Sequence, residues 1–309
     1  NVTCLSYSED SPHEMAGWRV LTGLGISHRP VDLLRPESLA GLSKGYTTVL
    51  HLAASTDTST NDFTSNDIGT ANLLRALAPL DSAAHVIYVS SAAVYTGRSG
   101  LSAPANDSTP PHPTNEYGRS KLRAEEIVKT AAKREAIRPT IIRIKTNNRT
   151  HPRPKSTPEV LERQVQAGSL AAKLNWPGLV SVSHVDDVAA RLLLLATRSG
   201  PENVHTHTFS SEALTLASMF QQIYRVRGKP YRPWNIPRWM WHMLSFTLRL
   251  MSHIERLLPT GVYNFVWRAN LVAGNVLYCE PDAPKLKWQE KDKTFAESIA
   301  EIIASGPEV

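Results

Sequence analysis

From the amino terminus to about Arg143, short β-branched and apolar runs alternate with segments whose apolar positions recur every three or four residues. That alternation is the pattern of a parallel sheet wrapped by helices. The runs predict strands at residues 2–8, at a short segment ending near Asp32, and at 47–53, 85–91 and 140–143. Ile68, Ala71, Leu74 and Leu77 lie about one turn apart within 66–80, and Leu122, Ala124, Ile127 and Val128 do so within 116–132, which predicts two crossover helices. At 147–159 three prolines among polar residues predict a loop, and the boundary between two lobes is placed there. Beyond it the pattern predicts a strand at 179–184, a helix at 187–198, a strand at 205–210 and a helix at 214–226. A Trp-rich stretch at 233–258 and a terminal helix at 295–304 complete the chain. The expected architecture is α/β: a doubly wound parallel sheet over 1–145 and a smaller α/β substrate lobe over 146–309, with short elements returning to the main domain.

Composition narrows this little. With 41% hydrophobic and 20% charged residues in 309, the chain has the balance of a folded globular protein. A net charge of +6 favours anions: a phosphorylated cofactor, an acidic substrate, a membrane surface or nucleic acid. The basic residues are dispersed and carry no nucleic-acid motif, so nucleic acid is not an expected partner. Cys4 and Cys279 are far apart, and His205 and His207 alternate on a strand without a third ligand, so neither a disulfide framework nor a metal is expected. No basic-then-apolar segment opens the chain and no apolar run reaches about 18 residues, which points to a cytoplasmic protein with a small-molecule substrate. A homodimer is admitted as the assembly. Pro237 opens a stripe of Met240, Met243, Leu244, Leu250, Met251, Ile254 and Leu258, interspersed with Arg238, Arg249 and Arg256. A helix packed on its own domain is the first reading. Trp234, Trp239 and Trp241 support the alternative, an interfacial helix over 234–258 that makes the protein peripheral on an intracellular membrane.

The candidate chemistry lies at the end of HVIYVSS, residues 85–91, where Ser91 runs into Ala92, Ala93, Val94 and Tyr95. Twenty-six residues after Ser91 comes Tyr117-Gly-Arg-Ser-Lys121. Residues four apart share a helix face, and open parallel sheets bind ligands at the carboxyl ends of their strands, so Ser91, Tyr117 and Lys121 can converge. Hydride transfer between an alcohol carbon and a nicotinamide needs a proton acceptor on the hydroxyl oxygen. A phenol becomes that acceptor near neutral pH if nearby cations, the Lys121 ammonium and the cationic nicotinamide, lower its pKa. Ser91 would orient the substrate oxygen. The plainer reading is an exposed helix face with a solvated lysine.

Five segments weigh against that plainer reading: Val-Leu-His-Leu-Ala-Ala at 49–54, Asn-Asp-Ile-Gly-Thr-Ala-Asn-Leu-Leu at 66–74, VSSAAVY at 89–95, YGRSK at 117–121 and His-Val-Asp-Asp-Val at 184–188. In this order they resemble the extended short-chain dehydrogenase/reductase family, the NAD-dependent epimerase/dehydratases. The resemblance implies a Rossmann-type fold, an NAD or NADP cofactor, and Ser91, Tyr117 and Lys121 as catalytic residues. It also implies that Leu52, Ala53 and Ala54 run past the cofactor ribose and pyrophosphate, that Asp32 and Leu33 flank the adenine, and that Tyr117 and Lys121 touch the cofactor. Asn66 would set the active-site backbone. The bland counterparts are small residues at a strand end, a turn aspartate and a helix N-cap.

The chain also departs from the family. No Gly-x-x-Gly-x-x-Gly turn is present, since Gly17, Gly23 and Gly25 lack the spacing. The chain is therefore expected to start at the family's second strand, with the central first strand and its phosphate-binding turn missing and dinucleotide affinity weakened. Glu9 after the first predicted strand favours NAD over NADP. Ile144 stands where relatives usually carry Pro, and the basic segment after it is read as a solvated loop. Sugar-nucleotide dehydratases of the family carry an Asp-Glu pair where this chain has Ala92 and Ala93, which leaves oxidation, reduction or epimerisation of a sugar-nucleotide, sterol-like or other small molecule. Pro237-Arg238-Trp239 opening an apolar helix is loosely similar to the 3β-hydroxysteroid dehydrogenase-like branch. A sensor or scaffold that keeps the fold with impaired catalysis is the competing function.

Overall fold

The computed structural model describes residues 2–7, 12–42, 46–56, 62–78, 84–96, 105–134, 137–148, 157–198, 203–253 and 292–305, with isolated positions 259, 262, 266, 269 and 273. In chain order the first half comprises β1 (Thr3–Ser6), α1 (Pro12–Gly23), β2 (Ser27–Pro30), β3 (Thr48–His51), α2 (Thr64–Leu77), β4 (His85–Ser91), α3 (Glu116–Arg134) and β5 (Arg138–Ile144). The second half comprises β6 (Thr146–Asn148), α4 (Thr157–Gln166), β7 (Leu179–His184), α5 (Val185–Ala196), β8 (His205–Phe209), β9 (Glu212–Thr215), α6 (Leu216–Val226), α7 (Arg238–His253) and α8 (Phe295–Ser305). This is the Rossmann-like α/β fold with a parallel sheet.

The main sheet has the order β3-β4-β5-β8, all parallel. Its centre is β4, whose alternate residues serve two cores, as the two-residue period of a strand requires. Val86 and Tyr88 pack with Leu74 of α2, Ala124 and Val128 of α3 and Ile141 of β5. Ile87 and Val89 face the other way, onto Val188, Leu192 and Leu195 of α5 and Phe209 of β8. A strand buried on both faces reads as a continuous apolar run, which is why HVIYVSS shows no alternation. The His184 ring caps α5 by accepting from the Asp186 amide at 3.2 Å.

β1 and β2 do not join this sheet. Among the described residues they pair only with each other, in parallel, from Thr3 opposite Ser27 to Ser6 opposite Pro30. What spans the two sheets is α2: Leu73 and Leu77 pack with Val31, Leu39 and Leu42, against which Leu5 of β1 and Val49 of β3 also rest. Among the described residues, neither the second edge of β1 nor that of β3 carries a ladder partner. Leu50 of β3 and Val20 of α1 are exposed.

A second, three-stranded sheet has the order β6-β7-β9, with β6 parallel and β9 antiparallel to β7. α4, α6 and α8 cover it through Leu161, Val165, Met219, Phe220, Ile223, Phe295 and Ile299, which pack with Val182.

Several expected boundaries are corrected. The helix expected from 214 starts at Leu216, because 212–215 forms β9 on β7 and the Thr215 hydroxyl then caps the helix by accepting from the Ser218 amide at 3.0 Å. The strand expected to reach residue 53 ends at His51, where its pairing with β4 stops. The segment expected to be a loop after Ile144 begins with β6 and ends in α4; the basic residues at 149–156 lie outside the described residues, as does Glu9. Met251 falls within α7, whereas Ile254, Arg256 and Leu258 lie outside the described residues.

Candidate active site

Ser91 ends β4 in extended conformation and caps the 3-10 turn Ala92–Tyr95, its hydroxyl accepting from the Ala93 amide at 3.1 Å. The turn brings the Ala93 carbonyl up to the start of α3. A Cβ on Gly118 would lie 2.6 Å from that oxygen and 3.0 Å from both Asn115 Oδ1 and Pro113 Cβ, so only glycine permits the approach. Asn115 accepts from the Gly118 amide at 2.8 Å, which satisfies an amide at the helix start. This contact holds Tyr117 next to Ser91, whose hydroxyl acts on the phenol to lower its pKa. The Phe63 ring lies against Tyr117 with centroids 5.6 Å apart.

One turn on, Lys121 is buried and donates to the Val89 carbonyl of β4 at 2.9 Å, with its ammonium 5.1 Å from the centre of the Tyr88 ring. Burial lowers its pKa from the usual 10.5 to about 8, with Glu125 acting in the opposite direction. For Tyr117, burial pushes the phenol up and the Ser91 hydrogen bond only partly offsets it. In the protein without a nicotinamide beside it, desolvation of the phenol is thus the larger effect.

Asn66 does not act as an N-cap. It sits in the first turn of α2, buried, and its carboxamide clasps Ser55 from both sides, accepting from its amide at 2.7 Å and donating to its carbonyl at 3.0 Å. It also donates to the Ser120 hydroxyl at 3.0 Å, which itself donates to the Tyr117 carbonyl at 2.8 Å. Asn66 thus ties the segment after β3 to the turn of α3 that carries Tyr117. On that segment Leu52 and Ala53 are exposed and Ala54 is half-buried. Asp32 is engaged in a turn, accepting from the Leu34 amide at 2.9 Å and facing Arg35 at 3.4 Å. Leu33 is held on α2, where Asn72 donates to its carbonyl at 2.9 Å and a Cβ on Gly69 would come within 2.9 Å of its Cβ.

A model of the NAD dependent epimerase/dehydratase family matches residues 5–207. The chain belongs to that family. GDP-6-deoxy-D-mannose reductase of Pseudomonas aeruginosa is 35% identical over 111 residues, 34% of this chain and 36% of that relative. The chain thus matches about a third of that relative's length. RMD from Pseudomonas aeruginosa, solved with NADPH, superposes with a TM-score of 0.66 at 18% identity over 98% of each chain. DesIV, a dTDP-glucose 4,6-dehydratase from Streptomyces venezuelae solved with NAD, gives 0.62 at 18% identity over 75% of this chain and 73% of its own. At these identities the likeness to the solved structures is one of fold.

In this member of the epimerase/dehydratase family, the site also contains residues that sequence reasoning passed over. Glu125 is fully buried and pairs with Arg143 of β5 through Nε at 2.9 Å and Nη2 at 2.6 Å, while Ser90 donates to the same carboxylate at 2.6 Å. Arg143 Nη1 reaches the Tyr95 hydroxyl at 2.5 Å. This network binds β4, β5, α3 and the 3-10 turn together directly beneath Ser91. Its signal was the series Tyr117, Lys121, Glu125 at four-residue intervals on one helix face. His51 is buried at the end of β3, with Nε2 2.8 Å from Thr70 Oγ1. Burial, with Lys121 nearby, lowers its pKa to about 3, so the ring stays neutral. Because the Thr70 hydroxyl donates to the Asn66 carbonyl at 2.6 Å, Nε2 carries the proton and is the donor. Among the described residues no group of three or more His, Cys, Asp or Glu is placed to hold a metal ion; the His205 and His207 rings lie 6.2 Å apart.

Proposed function

We propose that this chain transfers a hydride between a nicotinamide dinucleotide and an alcohol or carbonyl carbon of a nucleotide-linked sugar, as an oxidoreductase or epimerase. The observation that carries the reading is the placement of Ser91 and Tyr117 side by side at the carboxyl end of β4, with the buried Lys121 one turn away on α3. NAD or NADP, when bound, supplies the hydride acceptor or donor. The chain's own residues handle the proton. Tyr117 takes it from the substrate hydroxyl on oxidation and returns it to the carbonyl oxygen on reduction, while Ser91 donates a hydrogen bond to that oxygen. Burial keeps the phenol protonated at neutral pH, which readies it for the reductive direction. Lys121 spends one of its three donors on Val89 and keeps the others for a ribose hydroxyl. Ala92 and Ala93, buried in the turn after Ser91, offer no acid-base pair, so elimination is not part of the reading.

The chain carries part of a dinucleotide seat. Leu52 and Ala53 stand open beyond β3 next to the exposed Leu50, Leu33 is fixed on α2, and Asp32 is held in the turn beside it. Among the described residues, however, none of the positive-φ glycines, Gly25, Gly41, Gly168 and Gly228, links the carboxyl end of a strand to the start of a helix. That observation favours a weak dinucleotide affinity and keeps a second reading in view, a sensor or scaffold with the same fold. The nucleotide-sugar class rests on the family and the named relatives; the sterol-like alternative rests on Pro237-Arg238-Trp239 alone.

The deciding experiment compares wild type with Tyr117→Phe at saturating dinucleotide, with calorimetric titration of NAD and NADP alongside. The variant should lose nearly all turnover and keep its dinucleotide affinity. Retention of more than about a tenth of kcat, a barrier change under about 1.4 kcal/mol, would remove Tyr117 from the chemistry. Absence of any dinucleotide binding would favour the second reading.

A further inference from the structure

Outside the candidate site, the least explained surface is the outer face of α7. Trp239, Met243, Phe246 and Leu250 succeed one another at intervals of four, three and four residues and so form one stripe. They are 62%, 62%, 70% and 64% exposed. The opposite face already anchors the helix: Trp241, Ser245 and Leu248 are buried, with Trp241 and Leu248 packed among Leu174, Trp176 and Ile236. One apolar stripe suffices to dock a helix on its own domain, and this helix has two. Trp234 extends the exposed face at its amino end, and Met240 and Leu244 widen it.

The charge along this stretch of the chain is of one sign. From Ala213 to Ile254 there is no Asp or Glu, whereas Arg225, Arg227, Lys229, Arg232, Arg238 and Arg249 fall in that stretch. Arg225, Lys229, Arg232 and Arg238 are exposed. Among the described residues no helix is long and apolar enough to cross a membrane, so α7 can only lie along one.

We propose that α7 docks the protein on an anionic lipid surface. The helix lies in the plane of the interface, Trp239, Met243, Phe246 and Leu250 enter the boundary between headgroups and acyl chains, and Arg232 and Arg238 meet the anionic headgroups. This goes beyond the proposed activity and does not depend on Tyr117.

The test is co-sedimentation of the full chain with vesicles of phosphatidylcholine, with and without about 30% phosphatidylserine. The partition coefficient should be about tenfold or more higher on the anionic vesicles. The double substitution F246S/L250S should lower it by about tenfold or more, and R232E/R238E should abolish the preference for phosphatidylserine. All four side chains are exposed, so thermal unfolding followed by circular dichroism should be unchanged, which separates lost docking from lost folding. Wild type remaining in the supernatant at about 1 mM lipid would overturn the proposal, as would binding indifferent to both double substitutions. Lipid-free self-association removed by F246S/L250S, read by sedimentation velocity, would overturn it equally, by showing the face to be a protein contact.

Discussion

Replacing Lys121 with Met should stabilise the protein near neutral pH while abolishing its activity. The lysine's pKa falls from 10.5 to about 8 on folding, chiefly through burial. At about 1.4 kcal/mol per unit, keeping the charge inside costs about 3 kcal/mol. Met fills a similar volume without a charge. Loss of the bond to the Val89 carbonyl returns about 1–2 kcal/mol of that, so the variant should gain about 1–2 kcal/mol at about pH 7. The pH dependence is the sharper signature. Below pH 8 both states of the wild type hold the proton; between about 8 and 10.5 the unfolded state holds it and the folded state does not. Wild-type stability therefore rises with pH in that window relative to the variant. The variant's advantage should shrink by about 2 kcal/mol between about pH 7 and pH 9.5. Urea unfolding of both proteins at the two pH values measures the difference. A stability gap that stays constant within about 0.5 kcal/mol would refute the claim that Lys121 is held charged against desolvation.

Two further substitutions probe the scaffold of the site. Gly118→Ala places a methyl 2.6 Å from the Ala93 carbonyl, so kcat should fall at least about tenfold and the melting temperature should drop, although Ala is the better helix former by about 1 kcal/mol. A more stable variant with normal turnover would show that the close approach is not needed. Glu125→Gln leaves Arg143 buried beside a neutral partner and should cost about 3 kcal/mol in urea unfolding, most of it recovered when Arg143 is also replaced by Met. Equal losses in the single and double variants would contradict the pairing.

What the sequence made legible is what depends on neighbours along the chain. The run from His85 to Ser91 declared a strand buried on both faces, and the four-residue spacing of Tyr117 and Lys121 put both on one side of a helix that starts near Ser91. Contacts between distant segments were not legible. Glu212–Thr215 is a strand only because β7 offers it an edge; Leu214 and Leu216 by themselves suit a helix equally well. Glu125 was visible as the third member of a series, but whether that face met water or Arg143 depended on how β5 packs. The burial of Tyr117 was hidden for the same reason: charge type is written in the sequence, whereas the depth of burial and the partner of Lys121 are not.

Among the described residues the β1–β2 pair and the four-stranded sheet share no strand ladder and are joined through side chains packed on α2. The amino-terminal unit rests on four-residue strands and is attached through Leu33, Val31 and Leu39 on α2, so it can open locally while β4 and its neighbours remain intact. Asp32 and Leu33 ride on that unit, and Ser91, Tyr117 and Lys121 on the other. A ligand that touches both would have its occupancy linked to the closed arrangement: part of its intrinsic affinity would go into holding the halves together, and a substitution that loosens α2 would weaken binding without touching the ligand.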